Sequence, residues 1–429
     1  MPKLYKNVVL WDAERESASL CDVLTEGAEI AKIAPAGTLD GEAAFDGRGG
    51  TAMLPGFVNA HGHAAMTMLR GLGEELPLME WLQKKIWPVE NKLDAETAYI
   101  GAQLALMEML STGTTCFADM YFFMDSVAEA VLAGGMRAGL SRGIVPSQDG
   151  GRERLDENLK LARDYDGANG LIHVQLGPHA PYTVPTAFMT EIAAAAKENG
   201  LGVQLHWLET KSDWPLSDGS KTMNPEEYLE KTGMTGVKHL LLAHCVWMEK
   251  EKFPFYARPN ITVAHNPKSN WKLGSGTAPV CAMAEAGIAV SLGTDGASSN
   301  NRLDMWDEMR FASLAQKGAN LDPTLLSARD AFRMATVAGA RALGFEKTGL
   351  LREGWTADFM LVDLDKPHYV GWDLENLPGC IVYAGSSADV KATVVAGETL
   401  YENGSFTRLD KEKITAQANA ARKRLTSQA

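Results

Sequence analysis

Histidines and carboxylates recur at one kind of place along this chain, directly after apolar runs. The clearest group is Asn59-Ala60-His61-Gly62-His63, which closes the run Leu54-Pro55-Gly56-Phe57-Val58. Alternate side chains of an extended segment point the same way, so both imidazoles face one point, and Gly62 lets the backbone crowd close. Neutral imidazole is a ligand for zinc-type ions. An isolated His-x-His is also common in surface turns, but the buried run before this one argues against that. His206 ends Gly202-Val203-Gln204-Leu205, and Glu209 follows three residues later; His244 closes Leu240-Leu241-Leu242-Ala243; Asp295 follows Ala289-Val290-Ser291-Leu292-Gly293-Thr294. A cation held by such groups lowers the pKa of bound water, and a nearby carboxylate moves the proton. Taken alone, His244 can be read as a hydrogen-bonded core residue and Asp295 as a turn or helix cap.

These residues converge only if the elements that carry them do. Between 54 and 350 the sequence alternates strand-like and helix-like segments. The strand candidates are Leu54–Ala60, Thr114–Ala118, Arg137–Ser141, Leu171–Gly177, Gly202–Trp207, His239–Ala243, Ile261–Ala264 and Ile288–Gly293. Helical stretches such as Ala95–Leu110, ended by Gly113, and Pro185–Glu198, ended by Gly200, lie between them. Eight βα units are the number that closes a (β/α)8 TIM-type barrel, whose strand C-termini gather reacting groups at one end. Closure puts the last strand beside the first, and hence Asp295 beside His61 and His63. A doubly wound sheet would want a Gly-rich phosphate turn after its first strand, and the chain has none. Short strands at both ends (Leu4–Val9, Asp22–Ile30 and Ala43–Met53; then Ala357–Asp363 and Val390–Gly397, continued by Glu398–Tyr401) suggest one small composite β domain. The expected organisation is α/β: residues 1–53 and 351–405 form the β domain, 54–350 the barrel, and 406–429 a terminal helix.

Composition narrows the partners. The chain has 429 residues and a formal charge of −13, which argues against general nucleic-acid binding and against an anionic membrane surface. Five scattered cysteines without a Cys-x-x-Cys pair read as thiols in a reducing compartment. No apolar run approaches the length of a membrane span, and residues 1–12 lack the apolar core of a secretion signal. A cytoplasmic location is expected. The segment Leu171–Gly177 carries no lysine to bridge two ions, which favours a single metal, and the His-x-Glu with Pro-Cys-x-x-Cys pattern of the zinc deaminases is missing.

Together, His61-Gly62-His63, His206 with Glu209, His244 and Asp295 resemble the amidohydrolase superfamily, over nearly the whole chain. Four stretches, Pro55-Gly56-Phe57-Val58-Asn59-Ala60-His61, Gly177-Pro178-His179-Ala180-Pro181-Tyr182, His265-Asn266-Pro267-Lys268-Ser269-Asn270 and Leu292-Gly293-Thr294-Asp295-Gly296, resemble its 5′-methylthioadenosine/S-adenosylhomocysteine deaminases. That resemblance implies one divalent metal, usually zinc with iron or manganese as alternatives, held by His61, His63, His206 and Asp295. It implies hydrolytic release of ammonia from C6 of an adenine nucleoside. Glu209 would protonate the ring, while His244 and Asp295 orient water and accept its proton. Relatives acting on guanine, oxidised guanine or s-triazines share most of these motifs, and a catalytically dead scaffold is a third reading. The resemblance further implies that Glu90 meets the ribose hydroxyls, Trp81 lines the pocket, His179 touches purine or ribose, and Arg142 and Arg154 meet a homocysteine carboxylate. Trp207 and Leu208, between His206 and Glu209, are expected to reshape the pocket wall. The partner is then a small nucleoside, with no nucleic acid or membrane, and a homo-oligomer is left open.

Overall fold

The computed structural model describes residues 2–145, 151–214, 216 and 223–427. Eight parallel strands follow one another around the molecule: β1 (Phe57–Asn59), β2 (Thr114–Tyr121), β3 (Arg137–Ile144), β4 (Ile172–Pro178), β5 (Gly202–Trp207), β6 (Leu240–His244), β7 (Ile261–His265) and β8 (Ala289–Leu292). Each pairs with the next in sequence. Between β8 and β1, Ala60 N–H donates to Leu292 O at 2.8 Å and Asp295 N–H to His61 O at 3.0 Å, which nearly closes the barrel. Gly293 allows this approach, because a Cβ there would lie 2.7 Å from the His61 nitrogen.

Strand alternation divides the side chains between two environments. Val58, Cys116, Ala118, Leu241 and Ala264 point inward and pack on Ala340, Ala342, Leu343 and Phe345 at one end of the barrel. Val203, Leu205, Leu240 and Leu242 point outward into the layer under the helices. Above the inner plug lies a polar layer, where Gln204 Nε2 donates to Ser141 Oγ at 2.7 Å and Ser141 Oγ to Asp119 O at 3.2 Å. The helix Ala95–Ser111 starts at a reciprocal cap between Asp94 and Thr97. The last helix, Lys411–Thr426, packs outside against it through Ile414, Ala418, Ala421 and Leu425, an apolar stripe at helical spacing.

Both ends of the chain build a separate nine-stranded mixed sheet. Its Thr51–Pro55 strand lies parallel to Lys3–Leu10, with Val9 opposite Ala52, and antiparallel to Phe359–Asp363, with Met360 opposite Leu54. Three expectations change here. The run Leu54–Ala60 is not one strand: it feeds the small sheet through Pro55, turns at Gly56 and enters the barrel as β1. The expected limit at 53/54 therefore falls inside a strand. Asp22–Ile30 is the heart of a hairpin, Ser19–Glu26 with Glu29–Pro35. Glu398–Glu402 does not continue Val390–Val395 but folds back on it, through Ala396 and Gly397 at φ 49° and 74°. Two successive left-handed residues make the reversal that matches strand twist. Composition marks such runs as extended but carries little information on where they reverse. No helix among the described residues is long and apolar enough to cross a membrane.

Arg137, at the start of β3, joins barrel to sheet. Its guanidinium makes a two-pronged pair with Asp358 and also donates to Gly170 O at 2.5 Å, while Asp358 accepts from Ala396 N–H at 2.7 Å. Both side chains are buried. Removing one partner strands the other's charge, so Asp358→Ala should lower the unfolding free energy by about 3–5 kcal/mol. Urea titration would read this, and an unchanged midpoint would show that the pair does not hold the two sheets together.

Candidate active site

The sequence-derived site residues meet at the C-terminal end of the barrel. His61 and His63 lie just past β1, on chain that has left the strand, with ring centroids 5.0 Å apart. His206, on β5, brings its ring centroid to 4.9 Å from that of His61 and 5.4 Å from that of His63. Asp295 Oδ1 is 3.1 Å from His63 Nε2 and 3.8 Å from His61 Nε2. One nitrogen from each of His61, His63 and His206 lies within 4.8 Å of the others, and so do ligand atoms of His61, His244 and Asp295. Gly62 is not needed for closeness, since a Cβ there would meet Ala118 O and Asp295 O at an ordinary 3.5 Å.

The ring orientations suit a cation. His63 donates from Nδ1 to Met120 O at 2.7 Å and His206 from Nδ1 to His179 O at 2.8 Å, which turns each Nε2 toward the cluster, that of His63 lying 3.1 Å from Asp295 Oδ1. His61 is completely buried, and neither ring nitrogen has a hydrogen-bond partner. An imidazole left so would cost stability unless something binds it. Burial holds His61 and His206 well below the usual imidazole pKa, hence neutral. Burial opposes ionisation of Asp295, but the hydrogen bond and charge of His63, with His244 and His61, outweigh it and hold the carboxyl well below its usual range. The donor set fits one divalent ion.

His244 reaches this group by backbone strain. By alternation it belongs with the outward Leu240 and Leu242, yet its ring centroid lies 5.5 Å from those of His61 and His206. His244 and Cys245 have φ of 77° and 51°, and these left-handed turns swing the imidazole inward. Asn270 Oδ1 accepts from His244 Nδ1 at 2.7 Å, so Nε2 faces Glu209 Oε2 at 3.8 Å. Asp295 sits at φ 61°, and its Oδ2 accepts from Ser269 Oγ at 2.6 Å and Ser299 Oγ at 3.0 Å. Burial pushes the Glu209 carboxyl up to about 7, against the pull of His244.

A cavity of about 380 Å³ opens over these groups. Of the expected substrate residues, Trp81, Glu90, Arg154, His179, Glu209 and Asp295 line it. Tyr121 Oη donates to Glu90 Oε1 at 2.6 Å, and burial raises the Glu90 carboxyl. His179 is held at Nδ1 by Thr183 Oγ1 at 2.9 Å, and burial lowers its imidazole to about 4.

Two expectations fail. Arg142 does not line this cavity: it pairs with Glu157 at 2.5 Å, donates to Gly143 O at 2.6 Å and stacks on Phe122 at 5.1 Å. It shares the outward parity of Ala138 and Leu140, whereas Ser141 and Gly143 face in, so the strand turns it to the helix layer. Trp207 does not reshape the wall either, being outward like Val203 and Leu205, buried, and donating to Tyr256 Oη at 3.4 Å. Leu208 is buried and off the cavity wall as well. Tyr121 and Phe122 also line the cavity and were not expected: β2 runs past Ala118 to Tyr121, and Asp119 interrupts the apolar pattern that would mark the extension.

Comparisons with known proteins agree with this geometry. Residues 52–400 match the amidohydrolase family. The chain belongs to that family. It is 44% identical over 384 residues to a 5-methylthioadenosine/S-adenosylhomocysteine deaminase of Pelotomaculum thermopropionicum, covering 89% of this chain and 88% of that one. It is 41% identical to a 5′-deoxyadenosine deaminase of Methanosarcina mazei, covering 94% and 93%. Among solved structures, a zinc-bound adenosine deaminase from Xanthomonas campestris superposes with a TM-score of 0.91 at 31% identity, covering 99% of this chain and 98% of that one. The amidohydrolase-family chain is thus a hydrolase whose relatives cleave C–N bonds.

Proposed function

We propose that this amidohydrolase-family enzyme removes the 6-amino group of adenine nucleosides modified at the 5′ position, such as 5′-methylthioadenosine, S-adenosylhomocysteine and 5′-deoxyadenosine, giving the 6-oxo purine and ammonia. The observation that carries the reading is the buried acid Glu209 set 3.8 Å from His244, beside three histidines and Asp295 that fit one divalent ion. The names of the relatives support the substrate class. His61, His63, His206 and Asp295 would hold the ion, most simply zinc, which when bound supplies the Lewis acidity that makes water a nucleophile at neutral pH.

The chain's own groups do the rest. Glu209, kept protonated by burial, gives its proton to the ring nitrogen beside C6 as water adds, so negative charge does not build on the ring. Asp295 and His244 hold the water and accept its first proton, which then leaves with the amino group as ammonia, while the remaining hydroxyl proton returns to Glu209 as the C–N bond breaks and the 6-oxo group forms. Tyr121 fixes one oxygen of Glu90, leaving the other for a ribose hydroxyl. His179, neutral at physiological pH, offers Nε2 to the nucleoside, and Trp81 gives an apolar wall. Five free cysteines accord with a reducing, cytoplasmic setting.

Ammonia release should be seen with the three nucleosides and with adenosine, and not with guanine or melamine; turnover of the latter pair alone would replace this reading with another ring. Arg154 is the one arginine or lysine lining the cavity among the described residues. Arg154→Ala should therefore raise KM for S-adenosylhomocysteine, which bears a carboxylate, several-fold more than for 5′-methylthioadenosine, which bears none. Arg142→Ala should change the two equally. The reverse pattern in KM would return Arg142 to the pocket.

A further inference from the structure

We propose that Glu308, a buried carboxylate outside the cavity, is a positioning residue that clamps together the two segments holding Asp295. The inference rests on the reading of Asp295 as a metal ligand and proton acceptor.

Glu308 lies in the first turn of the helix Met305–Asn320, which follows β8, and none of it is exposed. One carboxylate oxygen accepts from Lys268 N–H at 3.4 Å, and the other from Asn300 Nδ2. Lys268 immediately precedes Ser269, and Asn300 immediately follows Ser299. Those serines are the two hydroxyls that donate to Asp295 Oδ2, and they also touch each other at 2.9 Å. Asn300 Nδ2 additionally donates to Thr294 O at 2.7 Å, on the residue before Asp295. A single side chain thus ties the short helix after β7 (Pro267–Lys272) to the loop after β8, one residue away from each contact that orients Asp295. The same β7 segment carries Asn270, which orients His244.

The cost of the arrangement argues for a purpose. Burial pushes the Glu308 carboxyl up to about 8, partly offset by Lys268 and Asn300, and an apolar residue would fill the space without that penalty. Asp295 meanwhile is held at a left-handed φ of 61°, a conformation that persists only when its surroundings over-determine it. The clamp supplies that constraint without touching the site. Glu308 acts through Ser269 and Ser299, not on substrate.

Glu308→Gln, compared with wild type above about pH 8 where the carboxyl is ionised, tests this, because the amide keeps the shape but can accept at only one oxygen. In the zinc-loaded enzyme it should lower kcat about tenfold with KM changed less than about threefold, the range for groups that orient metal ligands. It should also speed zinc transfer to a chromogenic chelator by a similar factor while Tm stays within a few degrees of wild type. Glu308→Asp, which keeps both oxygens, should recover part of kcat. Combining Glu308→Gln with Ser269→Ala should give less than the product of the single effects, since both act through Asp295. Unchanged chelator transfer and kcat in Glu308→Gln, or fully multiplicative effects in the double variant, would overturn the clamp. The chelator and Tm readings need no substrate. They would stand even if the nucleoside assignment failed.

Discussion

Glu209→Gln should leave metal content nearly unchanged and lower kcat by a factor on the order of 10² or more, the usual share of a positioned general acid. The amide has the shape of the acid and no proton to give. Glu209 belongs to neither group of side chains whose ligand atoms converge within 4.8 Å, and its carboxyl faces His244 at 3.8 Å. Its pH signature follows from its surroundings. Burial raises its pKa to about 7, so the acid is present below that value and is lost as pH rises through it. Wild-type kcat/KM should fall on the alkaline side of about 7, and the residual activity of Glu209→Gln should lack that limb. Metal analysis beside the kinetics is decisive: metal lost in step with activity would make Glu209 a ligand, and the acid would have to be sought elsewhere.

Removal of the metal should have the larger effect. Dialysis against a chelator is expected to take turnover to background and to lower thermal stability, with both restored by stoichiometric zinc. At free metal about a thousandfold above its dissociation constant, linkage predicts about 4 kcal/mol of stabilisation. Part of this arises because His61 is buried with neither ring nitrogen bonded, and a bound ion would relieve that penalty. The sign with pH is fixed by the ligands, which bind as neutral imidazoles and an ionised carboxylate. Binding should weaken as pH falls through about 9, because, against the effect of burial, the hydrogen bond and charge of Asp295 raise His63 to about that value, while burial keeps His61 and His206 neutral much further down. A chain that is equally stable and equally active after exhaustive chelation would point instead to a scaffold or to metal-free chemistry.

Much of this architecture is legible in the residues. Each of the eight expected strand segments overlaps a barrel strand, because a parallel strand buried on both faces writes itself as a short apolar run and the helices between carry caps and glycine stops. His61, His63, His206 and Asp295 stand out by their position at or just after such runs, and the barrel topology brings those strand ends to one rim. Failures have a common cause. Arg142 and Trp207 sit on strands at positions whose parity sends them outward, and parity is visible only once the inward partners (Ser141 and Gly143, or Gln204 and His206) are known. His244 reaches the site as expected, but not by alternation, which would send it outward; the left-handed φ of 77° returns it to the cavity.

The sequence by itself determined the number and order of the βα units, the donor types and their strand-end placement, since periodicity and chemistry are local properties of the chain. The tertiary structure alone decided which side of each strand end faces the cavity, how Tyr121 fixes Glu90, and that Ser269, Ser299 and Glu308 converge on Asp295. Those outcomes depend on backbone dihedrals and on packing between segments far apart in the chain, and no local pattern of residues encodes either.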